Sequence, residues 1–379
     1  MYEPVRFDLT GAALLWPAIA AASISDMAAV VAKQFADLAV GADRPPAAEP
    51  HLASAHTTAL ELRTARLLDF SDNTGCKPVL LCTPLALHGA AIADFEPNHS
   101  LVASLRHAGM RRLFVVDWRS ATTDMRYLSI DDYLADFNVM VDEIGVPVDL
   151  IGLCQGGWMA LVYAARFPEK VSKLVLAGAP IDVRAAPSPL SSLANSTPLE
   201  IFRELVRLGD GLVLGHKLLR FWGPDSADPE SIHQLLQTKA GSDAAARIHL
   251  EARFRDWYSW TIDLPGTFFL EVVDRLYKRN ELASGKFVAL GRQVELARMH
   301  TPILMLAARD DELIAPPQLF AVGHLVGTPP HNLRKITAPC RHVGLFMGER
   351  TLQEIWPKIA QWIRESQVSV SALVEAPAA

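Results

Sequence analysis

Three positions in this chain have residue types suited to nucleophilic acyl chemistry: Cys154, a carboxylate within Asp310-Asp311-Glu312, and His342. Cys154 lies in Gly152-Leu153-Cys154-Gln155-Gly156-Gly157, which has the Gly-x-nucleophile-x-Gly form of a nucleophile elbow with sulfur in place of oxygen. A nucleophile on a tight strand-to-helix turn is held in strained backbone, so its neighbours must be small. The helix N-terminus behind Cys154 is expected to favour the thiolate, and the Gln155 backbone N–H to face a developing oxyanion. A cysteine ending a buried strand can equally be a small inert hydrophobe. Its placement and its partners decide between these roles.

The elements around Cys154 favour the nucleophile. Val148-Asp149-Leu150-Ile151 reads as a short strand, residues 158–167 as an apolar helix stopped by Pro168, and residues 171–176 as a second strand. Further strands are expected at 64–70, 78–82, 113–118, 301–308 and 333–336, and helices at 100–105, with Gly109 as C-cap, and from Ser129. Ser129 with Asp132 forms a capping-box pattern, so Asp131, Asp132 and Asp136 read as structural. Strands alternating with helices imply α/β architecture with a mostly parallel, doubly covered sheet. Ligands of such sheets bind beyond the carboxyl ends of the strands, where Cys154 falls.

The 310–312 carboxylates follow the strand at 301–308, and His342 follows the last strand. The chain order is therefore nucleophile, acid, base, as in the α/β-hydrolase fold. In that fold the loop after the strand at 78–82 supplies a second oxyanion N–H, which assigns the role to the Leu85 or Ala86 backbone. His88 in the same loop reads either as lining the site or as solvated.

The expected organisation is a helical arm and linker at 1–63, a core at 64–183 and 296–368, an inserted cap at 184–295 and a tail at 369–379. The arm reads as packed on the main domain or as an amphipathic surface-binding segment; Pro17 and polar residues break its apolar run below the ~20 residues of a membrane span. The cap is rich in aromatics (Phe221, Trp222, Trp257, Tyr258, Trp260, Phe268, Phe269), read as core or as the wall of an acyl pocket. With 379 residues, 50% hydrophobic, and net charge -6 without a basic run, the chain gives no reason to expect nucleic-acid binding. Cys76, Cys82, Cys154 and Cys340 lack metal-ligand spacing, so no metal is expected; nor is a signal peptide. A reducing cytoplasm suits a thiol nucleophile.

The Cys154-Gln155-Gly156-Gly157 box, Asn98-His99-Ser100-Leu101-Val102, Val116-Asp117-Trp118-Arg119, residues 128–133, Trp257-Tyr258-Ser259-Trp260 running into Asp263-Leu264-Pro265-Gly266, and the segment 306–311 together resemble the polyhydroxyalkanoate synthases. The resemblance covers roughly residues 64–362, with breaks in the cap. It implies an α/β-hydrolase-fold acyltransferase whose cysteine takes a 3-hydroxyacyl group from coenzyme A and whose histidine activates first the thiol and then the hydroxyl of the next unit. It implies Asp311 as the acid, with Asp310 as the fallback. Coenzyme A thioester would be substrate, with no cofactor.

Two departures stand out. Glu312 occupies a position that is usually histidine in synthases. Arg341-His342-Val343-Gly344-Leu345-Phe346-Met347-Gly348 resembles intracellular polyhydroxyalkanoate depolymerases more than synthases. Polymerisation and hydrolysis share an acyl-enzyme and differ in the second nucleophile. The expected function is therefore polyhydroxyalkanoate synthase-like acyl transfer. The alternatives are an intracellular depolymerase or acyl thioesterase/esterase, and a non-enzymatic granule-associated or partner subunit. The expected partners are hydroxyacyl-CoA or polyester, a polymer granule surface, and a second copy or partner subunit.

Overall fold

The computed structural model describes residues 48–145, 147–222, 229–239 and 243–365. The expected arm before residue 48 and the tail at 369–379 lie outside them. Eight strands form one sheet: β1 (Thr57–Glu61), β2 (Ala65–Asp69), β3 (Val79–Cys82), β4 (Leu113–Trp118), β5 (Val148–Leu153), β6 (Val171–Ala177), β7 (Ile303–Ala308) and β8 (Leu333–Ala338). Their order is β1-β2-β4-β3-β5-β6-β7-β8. The β1/β2 and β2/β4 pairs are antiparallel and the others parallel.

Burial explains why the sequence signal was strong. All six residues of β4, β5 and β7 are buried, as in a sheet covered on both faces. In β7, Ile303, Met305 and Ala307 enter one core while Leu304, Leu306 and Ala308 enter the other, following the two-residue period of a strand. The first core is filled by α2 (Ile130–Ile144) and α3 (Gln155–Arg166), and the second by α1 (Leu101–His107) and α5 (Trp356–Arg364). Ser129 caps α2 through a reciprocal capping box with Asp132. Gly109, at φ +93°, turns the chain just beyond the α1 cap residue Ala108.

One boundary shifts. The sheet begins at Thr57, inside the segment expected to be arm and linker. Thr57-Thr58-Ala59-Leu60-Glu61 is an edge strand with four exposed residues, so it carries no apolar alternation to announce it.

The segment between β6 and β7 is mostly helical, with Leu199–Leu208 and α4 (Ala244–Ser259) among its helices. Trp257, Phe268 and Phe269 are buried core. Trp260 instead borders a cavity of about 290 Å³ shared with Arg66 and Asp117, which none of Cys154, Asp311 and His342 lines. Among the described residues, no helix is long and apolar enough to cross a membrane.

Candidate active site

Cys154 joins β5 to α3 with φ 48° and ψ -119°. A non-glycine residue there carries strain of about 1–3 kcal/mol, which its surroundings must hold in place. They do so by close backbone approach. A Cβ on Gly156 would lie 2.2 Å from the Cys82 carbonyl oxygen, and one on Gly152 would lie 2.6 Å from Gly157 Cα. The same contact sets the start of α3 against the end of β3, beside the loop carrying Leu85 and Ala86. The Cys154 N–H donates to Ala177 O at 2.8 Å, anchoring the elbow to the end of β6. As the first residue of α3, Gln155 has a backbone N–H without an intrahelical acceptor.

His342 arrives over the same strand end. Gly178 directly follows β6, and a Cβ there would lie 3.0 Å from His342 Cε1. His342 Nδ1 lies 2.9 and 3.0 Å from the two carboxylate oxygens of Asp311. A carboxylate accepts, so Nδ1 carries the proton and Nε2 is left for another partner. Nε2 is buried without a hydrogen-bond partner. Burial opposes the imidazolium, but Asp311 and Cys154 outweigh it, and His342 is held well above the ordinary histidine range. Such hydrogen bonds often tighten only when substrate binds.

Adjacent carboxylates point in different directions. Asp311 is 1% exposed; besides His342 it accepts the Leu313 and Ile314 N–H groups at 2.9 and 2.8 Å. Asp310 is exposed and pairs with Arg309 at 3.2 Å. Glu312 takes a third direction: it accepts the His342 backbone N–H at 3.0 Å and pairs with Arg341 at 3.4 Å. The position that departs from the synthase pattern thus supports the loop bearing His342.

His88 is not the solvated loop residue of one expectation. Its Nδ1 lies 2.9 Å from Trp260 O, and its ring lies 4.4 Å from that of Trp257. It ties the β3 loop to the end of α4, and burial lowers its pKa to about 4. Sequence reading also missed Tyr277, whose hydroxyl lies 2.6 Å from Gln155 Nε2. The two residues are 122 positions apart, and no local pattern links them.

Comparison with known proteins adds similarities in sequence and fold. Residues 228–367 match the family model described as PHB de-polymerase C-terminus. The chain is 25% identical over 323 residues to the poly(3-hydroxyalkanoate) polymerase subunit of Haloferax mediterranei, covering 79% of this chain and 62% of that one. It is 27% identical over 308 residues to the corresponding subunit of Synechocystis sp., covering 76% and 78%. The chain is polyhydroxyalkanoate synthase-like. A crystal structure of the Paleococcus ferrophilus monoacylglycerol lipase superposes with TM-score 0.53 at 17% identity, covering 79% of the synthase-like chain and 98% of the lipase. That likeness, with the eight-stranded sheet, gives this synthase-like protein the α/β-hydrolase fold. Its match spans less than two thirds of the length of the Haloferax relative.

Proposed function

We propose that this protein is an acyltransferase that moves 3-hydroxyacyl groups from coenzyme A thioesters to a polyester chain through a Cys154–His342–Asp311 triad. The observation carrying this reading is the doubly contacted His342 Nδ1, whose opposite ring nitrogen is buried and unpartnered at the strand end that anchors the Cys154 elbow. The polymerase relatives supply the substrate class.

In this mechanism His342 Nε2 takes the Cys154 proton and the sulfur attacks the thioester carbonyl. The Gln155 N–H, with that of Leu85 or Ala86, holds the oxyanion. Collapse expels coenzyme A as a thiolate, which takes the proton from His342 to become the free thiol, and leaves an acyl-cysteine. The hydroxyl at a chain end then gives its proton to His342 and attacks the acyl carbon, forming the new ester and freeing Cys154. Asp311 keeps the imidazole in the required tautomer and stabilises its charged form. Coenzyme A is a leaving group here, and the chemistry calls on no other cofactor. We place the reaction at a polymer granule surface in the cytoplasm.

A hydrolytic second reading has its own support, since the depolymerase-type family match includes both Asp311 and His342. Water would then replace the chain hydroxyl. The experiment measures free-thiol release from 3-hydroxybutyryl-coenzyme A by wild type and Cys154→Ala, with analysis of the acyl product. Cys154-dependent release with insoluble polymer supports the transferase, and release with free hydroxy acid the hydrolase. Activity retained by a folded Cys154→Ala protein would overturn the mechanism. Failure of wild type on both thioester and amorphous polymer would return the non-enzymatic subunit reading.

A further inference from the structure

The Tyr277 hydroxyl has a proton to give and, among the described residues, no acceptor to take it. Trp158 Nε1, which can only donate, lies 2.9 Å from Gln155 Oε1. That fixes the amide orientation, so Gln155 Nε2 is the donor and the Tyr277 oxygen the acceptor in their 2.6 Å contact. The phenol is 1% exposed and sits in the π-helix Val272–Lys278, whose wider turn follows the α-helix Gly266–Glu271. Such local insertions are frequent at functional sites. Burial pushes the phenol well up; the hydrogen bond from the Gln155 amide pulls it the other way, and the nearby Cys154 adds a smaller upward push. Tyr277 is therefore a protonated donor within electrostatic reach of the nucleophile.

Its position separates it from the oxyanion site. The acyl oxygen is assigned to the Gln155 backbone N–H. Tyr277 stands at the far end of the Gln155 side chain. We propose that the Tyr277 hydroxyl donates to the 3-hydroxyl oxygen of an acyl group on Cys154 and so selects hydroxyacyl over unsubstituted acyl substrates. This rests on the acyl-transfer reading above. The selectivity follows from the general cost of leaving a buried polar group unpaired when the substrate lacks its hydroxyl.

The test compares kcat/KM for thiol release from 3-hydroxybutyryl- and butyryl-coenzyme A by the full chain. The hydroxyacyl preference should fall about tenfold or more in Tyr277→Phe. Gln155→Glu, which sets an acceptor against the phenol and draws its proton away, should lower the preference in the same direction. Thermal melts establish that both variants are folded. An active wild type whose preference is unchanged in Tyr277→Phe, or equal losses on both substrates, would overturn the inference. If wild type cleaves neither thioester, the acyl-transfer reading falls, and p-nitrophenyl 3-hydroxybutyrate and butyrate provide the same ratio. A ratio there that is insensitive to Tyr277 overturns the inference, and Cys154 acylated by none of the four compounds overturns both.

Discussion

Asp311 and His342 meet through a single ring nitrogen: both carboxylate oxygens lie within 3.0 Å of Nδ1, and both side chains are almost wholly buried. Asp310, one residue earlier, pairs with Arg309 in solvent. This asymmetry predicts different outcomes for the same substitution at neighbouring positions. Asp311→Asn should lower kcat by roughly 10³-fold or more, because the imidazole loses its tautomer partner. Asp310→Asn should change activity by no more than about twofold, as for a surface substitution. Comparable losses in the two variants would refute the assignment. The rate of Cys154 alkylation by iodoacetamide at neutral pH should separate them in the same way.

Glu312 is expected to act on position. Glu312→Ala leaves the buried His342 N–H without its acceptor, which costs about 1–3 kcal/mol. We expect kcat to drop about tenfold with KM little changed. Glu312→Gln, whose amide oxygen can still accept, should recover most of the loss; failure of that rescue would mean the charge itself matters.

Gly178 combines a left-handed φ of 57° with contact beneath the histidine. A Cβ there would meet Leu345 Cδ1 at 2.9 Å and His342 Cε1 at 3.0 Å. Gly178→Ala should lower activity by about 10²-fold through displacement of His342. Positive φ adds roughly 1–2 kcal/mol of destabilisation, visible as a lower melting temperature. A variant with wild-type kcat would show that the ring can move without consequence.

His88 gives a pH dependence with a definite sign. Its folded-state pKa is lowered to about 4, below the unfolded value. The unfolded chain therefore binds more protons between these values, and the contribution of His88 to stability, present above about pH 6.5, is lost as pH falls toward 4. Allowing for its partial exposure, the loss is on the order of 2 kcal/mol. Denaturant midpoints should decline more steeply over that window in wild type than in His88→Gln. Parallel declines would show that His88 is free to protonate in the folded state.

His342 carries the opposite sign. Its folded-state pKa is raised, so its contribution is complete below about pH 6.5 and is lost as pH rises through the folded value. The stability difference between wild type and His342→Gln should therefore narrow with increasing pH above 6.5. A difference that widens would contradict the direction of the shift.

The sequence by itself determined the sheet and the elbow. Buried parallel strands must be apolar runs, and a nucleophile at a strained turn must have small neighbours; both are short-range constraints written in adjacent residues. The capping box at Ser129 was legible for the same reason. The exposed edge strand β1 was not, since no burial imposed a pattern on it. The family resemblance pointed to Asp311 with Asp310 as fallback, but only tertiary structure shows Asp311 meeting His342, 31 residues away, and Gln155 held by Tyr277, 122 residues away. Side-chain direction at such separations is set by how loops and helices pack together, and three consecutive acidic residues carry no local mark of which way each will turn.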